Sequence, residues 1–280
     1  NGIMKIVVLD GYTENPGDIS WGPIEALGEV TVYDRTAYEE SPLIAERIGD
    51  ADVIVINKTP ISKETMDKCP NLKAIAVLAT GYNVVDYEYA KSKGIQIFNA
   101  PGLNANAVAE LTISKMLDIS RGTFTANYDV KVKHEWNKYK FEGRELRGKT
   151  LGVMGFGRIG KRVGELGRAF GMTIVAYDPF LKPEDFEKEH ATGMSVDEML
   201  KVADFVSIHV PLTPDTKDLF NAKSIAEMKD DAVVLNMSRG GIVNEKDMYE
   251  ALKAGKIGGY AADVMENELA GSGLTGDDTF

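Results

Sequence analysis

The chain has 280 residues, 44% of them hydrophobic, with one cysteine and a formal net charge of −11. That is enough length for two domains of ordinary size and enough apolar residue for their cores, and it excludes a disulfide framework or a thiolate metal cluster. The acids are spread along the chain, which argues against nucleic acid or an anionic membrane as partner; no apolar run nears the roughly 18 residues of a membrane span and no signal peptide opens the chain, so a cytoplasmic protein is expected.

In the first part of the chain, apolar runs at 6–9, 30–33, 53–56, 74–78 and 95–98 alternate with helical stretches at 23–27, 43–48, 63–68 and 87–93. That alternation predicts a parallel sheet flanked by helices. Cys69, just before a proline, is expected to be partly buried and without function. Pro101-Gly102 breaks the pattern, and a long helix is expected over about 104–121, burying Ala109, Ile113, Met116, Leu117 and Ser120. Its apolar residues (Val108, Leu111, Ile119 and others) spread wider than one packed face requires. Phe124, Tyr128, Val130, Val132, Trp136, Tyr139 and Phe141 follow in an otherwise polar stretch. Aromatics at this density mark a partner surface, so a homodimer built by about 104–141 is expected; the alternative is a helix buried in its own subunit beside an aromatic-rich loop.

The most informative segment comes next. A buried strand over 149–154 runs into Gly155-x-Gly157-x-x-Gly160, then Ile159, Val163, Leu166 and Phe170 recur as one face of a helix. A second apolar run, 173–177, ends at Asp178, 18 residues after Gly160. Strand, glycine turn, helix, strand, acid is the order of a dinucleotide-binding unit. The first glycine permits the turn, the second lets a pyrophosphate approach the backbone, and the third lets helix and strand pack closely. The helix N-terminus offers N–H groups to the phosphates. Asp178 stands about where an acid would accept from an adenine-ribose 2′-OH and repel a 2′-phosphate, favouring NAD(H) over NADP(H). With further strands near 204–208, 232–236 and 257–262, the reading is α/β: two doubly wound parallel-sheet domains, over 1–100 and 101–280, hinged near residue 100, with a ligand expected in a cleft between them.

Two clusters sit at strand ends of this second series. Val206-Ser-Ile-His-Val-Pro-Leu-Thr213 leaves one strand, and Val233-Val-Leu-Asn-Met-Ser-Arg-Gly-Gly241 leaves another, putting Arg239 at a carboxyl end. An always-charged fork followed by two glycines suits a carboxylate or a carbonyl oxygen. Asp263 closes the last strand, with Glu268 just beyond.

These residues resemble the D-isomer-specific 2-hydroxyacid dehydrogenase family over nearly the whole chain. The anchors are Ala79-Thr-Gly-Tyr-Asn-Val-Val-Asp86, Gly94-Ile-Gln-Ile-Phe-Asn99, Ala107-Val-Ala-Glu110, Gly155-Phe-Gly-Arg-Ile-Gly160, His209-Val-Pro-Leu-Thr213, Asn236-Met-Ser-Arg-Gly240 and Asp263-Val264 with Glu268. Lys58-Thr-Pro and the 79–86 wording look most like its glycerate dehydrogenase (hydroxypyruvate reductase) branch. The resemblance implies a flavodoxin-like substrate domain, a Rossmann NAD-binding domain, and NAD-dependent reduction of a small 2-keto acid, hydroxypyruvate or glyoxylate, to a D-2-hydroxy acid. Arg239 would hold the substrate carboxylate and polarise the carbonyl, with Lys58 and the amides around Thr80 and Gly81 also contacting substrate. Gly155, Gly157, Arg158, Ile159 and Gly160 would hold the pyrophosphate, and Val210 and Pro211 would line the adenosine side. Thr216 with Met237, Ser238 and Arg239 would complete the cofactor channel, and Asp263 would bind the nicotinamide carboxamide. Glu268 would orient and raise the pKa of a histidine donating the proton to the new alkoxide. The family's dimer uses the helix and segment after the hinge, and Trp136 matches a tryptophan that approaches the neighbouring active site.

That histidine is expected beyond the last residue, Phe280, and His134, His190 and His209 do not stand in for it. The expectation is therefore a family member whose final return segment lies outside this sequence; a chain truly ending at Phe280 would bind NAD but reduce keto acids poorly. The rival readings are a non-catalytic NAD(H)-sensing or corepressor-like protein on the same fold, and another NAD enzyme of the same plan, such as a formate or phosphite dehydrogenase.

Overall fold

Runs of Ile, Val and Ala ending in a small or acidic residue become the parallel strands of two sheets. The computed structural model describes residues 2–266, and the chain divides after Leu103 into two units.

In the first unit the order is β1 (Lys5–Val8), α1 (Gly11–Glu14), α2 (Gly22–Glu25), β2 (Glu29–Val32), α3 (Pro42–Ile48), β3 (Val53–Ile56), α4 (Lys63–Asp67), β4 (Ala74–Val77), α5 (Tyr87–Ser92) and β5 (Gln96–Asn99). The sheet runs β2-β1-β3-β4-β5, parallel throughout. Polar residues start its helices: Ser62 accepts from the Thr65 amide and Asp86 from the Tyr89 amide, satisfying groups a helix end leaves open. Leu9, Ile44, Ile48, Ile54, Ile56 and Ile75 form the core. Cys69, expected to be partly buried, is fully buried there, its Sγ set against Ala45 O of α3 at 3.8 Å. The sequence reading has no counterpart for α1, whose single turn is too short to show a periodicity.

The second unit holds α6 (Ala105–Arg121), α7 (Thr123–Tyr128), a π-helical turn Asp129–Lys133 and a 3₁₀ turn Lys138–Phe141. There follow β6 (Thr150–Met154), α8 (Arg158–Ala169), β7 (Thr173–Tyr177), α9 (Pro183–Lys188), β8 (Thr192–Gly193), α10 (Val196–Val202), β9 (Phe205–Ile208), α11 (Ala222–Glu227), β10 (Val233–Asn236), α12 (Glu245–Lys253) and β11 (Gly259–Ala262). The strand order is β11-β10-β9-β6-β7-β8, again parallel. Every residue of β9 and β10 is buried, as a sheet covered on both faces requires. The edge strand β8 is a Thr-Gly pair with no apolar run to announce it.

Two expected faces need correcting. On α6 the buried residues are Ala109, Thr112, Ile113, Met116 and Ser120, while Leu117 is exposed. Thr112 continues the stripe set by Ile113 and Met116, its hydroxyl satisfied by Val108 O at 2.8 Å, whereas position 117 is rotated off it. On α8 Phe170 lies beyond the last turn and is exposed. The helix buries Gly160, Val163, Gly164 and Gly167 instead. A Cβ at Gly167 would come 2.7 Å from Leu151 Cδ2, so it is the glycines that bring α8 down onto β6.

Candidate active site

The turn between β6 and α8 separates the duties of its three glycines. Gly155 has φ +87°, and a Cβ there would lie 2.4 Å from His209 O, at the end of β9. A Cβ at Gly160 would lie 2.0 Å from Gly155 O. Gly157 meets nothing within 4 Å; it precedes α8, whose N-terminus has no side-chain cap. Uncapped amides, a positive dipole end and a backbone bare of side chain form the cradle a pyrophosphate needs. Arg158 and the half-buried Ile159 open the helix.

Asp178 leaves β7 and reaches back to this turn. Its Oδ2 accepts from the Phe156 amide at 3.0 Å and its Oδ1 from the Phe180 amide at 3.0 Å. Both oxygens keep lone pairs for further donors, so the carboxylate is oriented yet still open to a hydroxyl.

Past β9, Val210 packs on the core and Pro211 turns outward. Thr216 closes the loop, donating to Pro211 O at 2.6 Å and accepting from the Thr213 amide at 2.8 Å. His209 is half-buried, its Nδ1 shut from solvent and without a partner; burial pushes its pKa down to about 4. Its Nε2 lies 2.6 Å from Ser207 Oγ. At neutral pH it is uncharged and holds no proton ready to give.

Past β10, Met237 is buried, Ser238 half-buried and Arg239 exposed, its Nη1 donating to Ser238 O at 2.8 Å. The turn is shaped by Asn236, which sequence reasoning did not assign a role. Its Nδ2 donates to Arg239 O at 2.9 Å and its Oδ1 accepts from Ser238 N and Oγ, each at 3.2 Å. The signal was present: an amide closing the apolar run Val233–Leu235 must find partners where it is buried. A Cβ at Gly240 would overlap Met265 O, so this turn packs on the backbone that follows β11. Asp263 is exposed one residue past β11, its amide donating to Asn236 O at 3.0 Å. Gly155–Gly160, Asp178, Val210, Pro211, Met237–Arg239 and Asp263 thus gather at the carboxyl ends of five adjacent strands. Glu268 lies outside the described residues.

In the first unit Lys58 is exposed beyond β3, and Thr80 and Gly81 are exposed beyond β4. Asn99 Nδ2 donates to Thr80 O at 2.8 Å. Among the described residues the Thr80 and Gly81 amides donate to no acceptor, which leaves two N–H groups for an anion.

A glycine turn on a helix N-terminus, an acid on the next strand and an arginine turn on the same edge define a dinucleotide-dependent oxidoreductase of the doubly wound class. Residues 113–277 match the family model described as D-isomer specific 2-hydroxyacid dehydrogenase, NAD binding domain. Over 273 residues, 95% of this chain, it is 42% identical to a hydroxypyruvate reductase of Blautia hydrogenotrophica and spans 84% of that protein. It is 41% identical to a D-3-phosphoglycerate dehydrogenase of Methanocaldococcus jannaschii, spanning half of it. The NAD-complexed D-isomer specific 2-hydroxyacid dehydrogenase of Lactobacillus delbrueckii ssp. bulgaricus superposes with a TM-score of 0.82 at 26% identity, covering 97% of this chain and 83% of that one. The chain belongs to the D-isomer specific 2-hydroxyacid dehydrogenase family: it is an NAD-dependent oxidoreductase of 2-hydroxy acids and their keto counterparts.

Proposed function

We propose that the enzyme reduces hydroxypyruvate, with glyoxylate as a smaller alternative, to the D-2-hydroxy acid at the expense of NADH. The observation that carries the choice is the 42% identity to a hydroxypyruvate reductase over 95% of the chain. In this reading NADH supplies the hydride when bound. Gly155, Gly157, Arg158, Ile159 and Gly160 hold its pyrophosphate, Asp178 its adenine ribose, Val210, Pro211, Thr216, Met237 and Ser238 line its channel, and Asp263 takes the carboxamide. Arg239 polarises the substrate carbonyl, while Lys58 and the free Thr80 and Gly81 amides serve the substrate carboxylate. Glu268 orients the proton donor. The active form is a cytoplasmic homodimer through about 104–141.

A panel of 2-keto acids at fixed NADH, run with the full-length protein, tests the substrate. Hydroxypyruvate should give the highest kcat/KM. The phosphoglycerate dehydrogenase relative makes the 3-phosphorylated keto acid the second reading, and a higher kcat/KM for it would replace the first.

A further inference from the structure

The sheet order β2-β1-β3-β4-β5 puts a topological switch point between β1 and β3: the chain leaves β1 towards β2 on one side and later returns to β3 on the other. The crevice outside such a point is where doubly wound sheets take their ligands. Here it presents three successive backbone amides, those of Asn57, Lys58 and Thr59, arranged as a nest for an anion. The chain supplies that anion itself. Asp10, following β1 and only 4% exposed, accepts all three amides on Oδ2, at 2.8, 3.0 and 3.0 Å. Its Oδ1 accepts from the Thr59 hydroxyl at 2.6 Å, and Thr59 is wholly buried. Four donors are spent on it and it is shut from solvent, so this carboxylate is a structural group within the crevice and not a group presented to a ligand.

Two functional elements hang from the same bonds. Lys58 is the middle residue of the nest, so its backbone is fixed on both sides while its ammonium stays exposed, with no ion-pair partner among the described residues. Two residues past Thr59, Ile61 bridges to the segment following Gly81: its amide donates to Val84 O at 2.9 Å, and the Asp86 amide donates to Ile61 O at 3.0 Å. A third tie joins α1 to the nest, Asn57 Nδ2 donating to Thr13 Oγ1 at 3.2 Å.

We propose that Asp10 is a positioning residue for the substrate: by filling the anion nest at the switch point it sets the direction of Lys58, and through Ile61 the loop bearing the free Thr80 and Gly81 amides. This rests on the reading above that Lys58 contacts the keto acid. Binding sites lose about tenfold or more when a contact group is misplaced by a fraction of an ångström to an ångström. Asp10→Asn keeps the shape but removes the charge that holds three amides.

The test is a double-mutant cycle of Asp10→Asn and Lys58→Ala, read as kcat and KM for hydroxypyruvate, with NADH affinity and the thermal midpoint measured alongside. Thr59→Val, which removes only the Oδ1 donor, serves in place of Asp10→Asn should that variant fail to fold. Each single variant should lose about tenfold or more in kcat/KM, chiefly through KM, with NADH affinity unchanged, and the double variant should lose less than the product of the two single losses, since the share routed through Lys58 is lost only once. An impaired Lys58→Ala enzyme beside a normal Asp10→Asn or Thr59→Val enzyme overturns the proposal, as does strict additivity or a lowered midpoint with unchanged kcat/KM. A Lys58→Ala enzyme with unaltered kcat/KM overturns the substrate role of Lys58 instead, and with it the route by which Asp10 acts.

Discussion

Arg239 rests with one nitrogen on its neighbour's carbonyl and the remainder of its fork in solvent. A guanidinium so placed offers two parallel donors to a planar carboxylate or to carboxylate and carbonyl together, which a lysine ammonium cannot copy. Arg239→Lys should therefore lower kcat/KM by roughly 10²-fold while leaving NADH affinity nearly unchanged; near-normal turnover would remove Arg239 from the site. Asp178 makes the other residue-scale prediction. Its oxygens are aimed by two backbone amides and it has no proton to give a 2′-phosphate. NADH should be strongly preferred over NADPH, and equal kcat/KM for the two would refute the assignment. Both residues were legible because each follows an apolar strand that announces its end. Asp10 was not, since its importance lies in backbone groups that only the folded chain brings within reach; Asn236 carried the signal of a buried amide but not the identity of its partners.

At the scale of elements, the glycine turn shows why spacing alone says less than packing. Two of its glycines are required by the fold, through a left-handed φ and through contacts too close for any side chain, and the third is free of such demands. Gly160→Ala should cost about 1–3 kcal/mol of stability, as overpacking does, and weaken NADH binding with it. Gly157 has φ −78°, which any residue adopts, so Gly157→Ala should leave the thermal midpoint alone and weaken NADH at least tenfold. Equal losses of stability in both variants, followed by calorimetry and NADH fluorescence, would contradict this division. The long elements were read to within a residue or two because period and apolar content agreed. β8 and α1 carry too few residues to show a period, the sequence reading places no helix at α7 or at α9 to α12, and Leu117 and Phe170 lie off the buried faces because apolar identity does not by itself fix burial.

At the scale of the whole molecule, the second unit leaves a belt of apolar surface open. Leu111, Leu117, Phe124, Tyr128, Trp136 and Tyr139 are all exposed, the last two at 84% and 73%. Asp129, buried and paired with Lys133 and Lys140, ties down the segment on either side of Trp136. A patch of this kind in water calls for a covering surface, and a second copy of the chain is the proposed one. Light scattering at micromolar concentration should give twice the mass of a single chain, and Trp136→Ala should raise KM. A monomer refutes the dimer, and an unchanged KM refutes the shared site.

Glu14, in the first unit, and His209, in the second, are displaced by burial in opposite directions on the pH scale. Both Glu14 carboxyl oxygens are buried without partners, and burial, helped by the Asp10 charge, pushes its pKa from 4.5 up to about 8. The protonated acid is the form the first unit accommodates, so its contribution is whole below about pH 4.5 and lost as pH rises through 8. His209, held down at about 4 from 6.5, contributes above pH 6.5 and loses that share as pH falls towards 4. Glu14→Gln should therefore raise the thermal midpoint more at pH 9 than at pH 5, and His209→Gln should flatten the loss of midpoint between pH 7 and pH 4, both followed by calorimetry. A Glu14→Gln gain equal at the two pH values, or an acid limb unchanged in His209→Gln, would contradict the assignment. One buried acid and one buried imidazole thus press on the pH range of this fold from opposite sides.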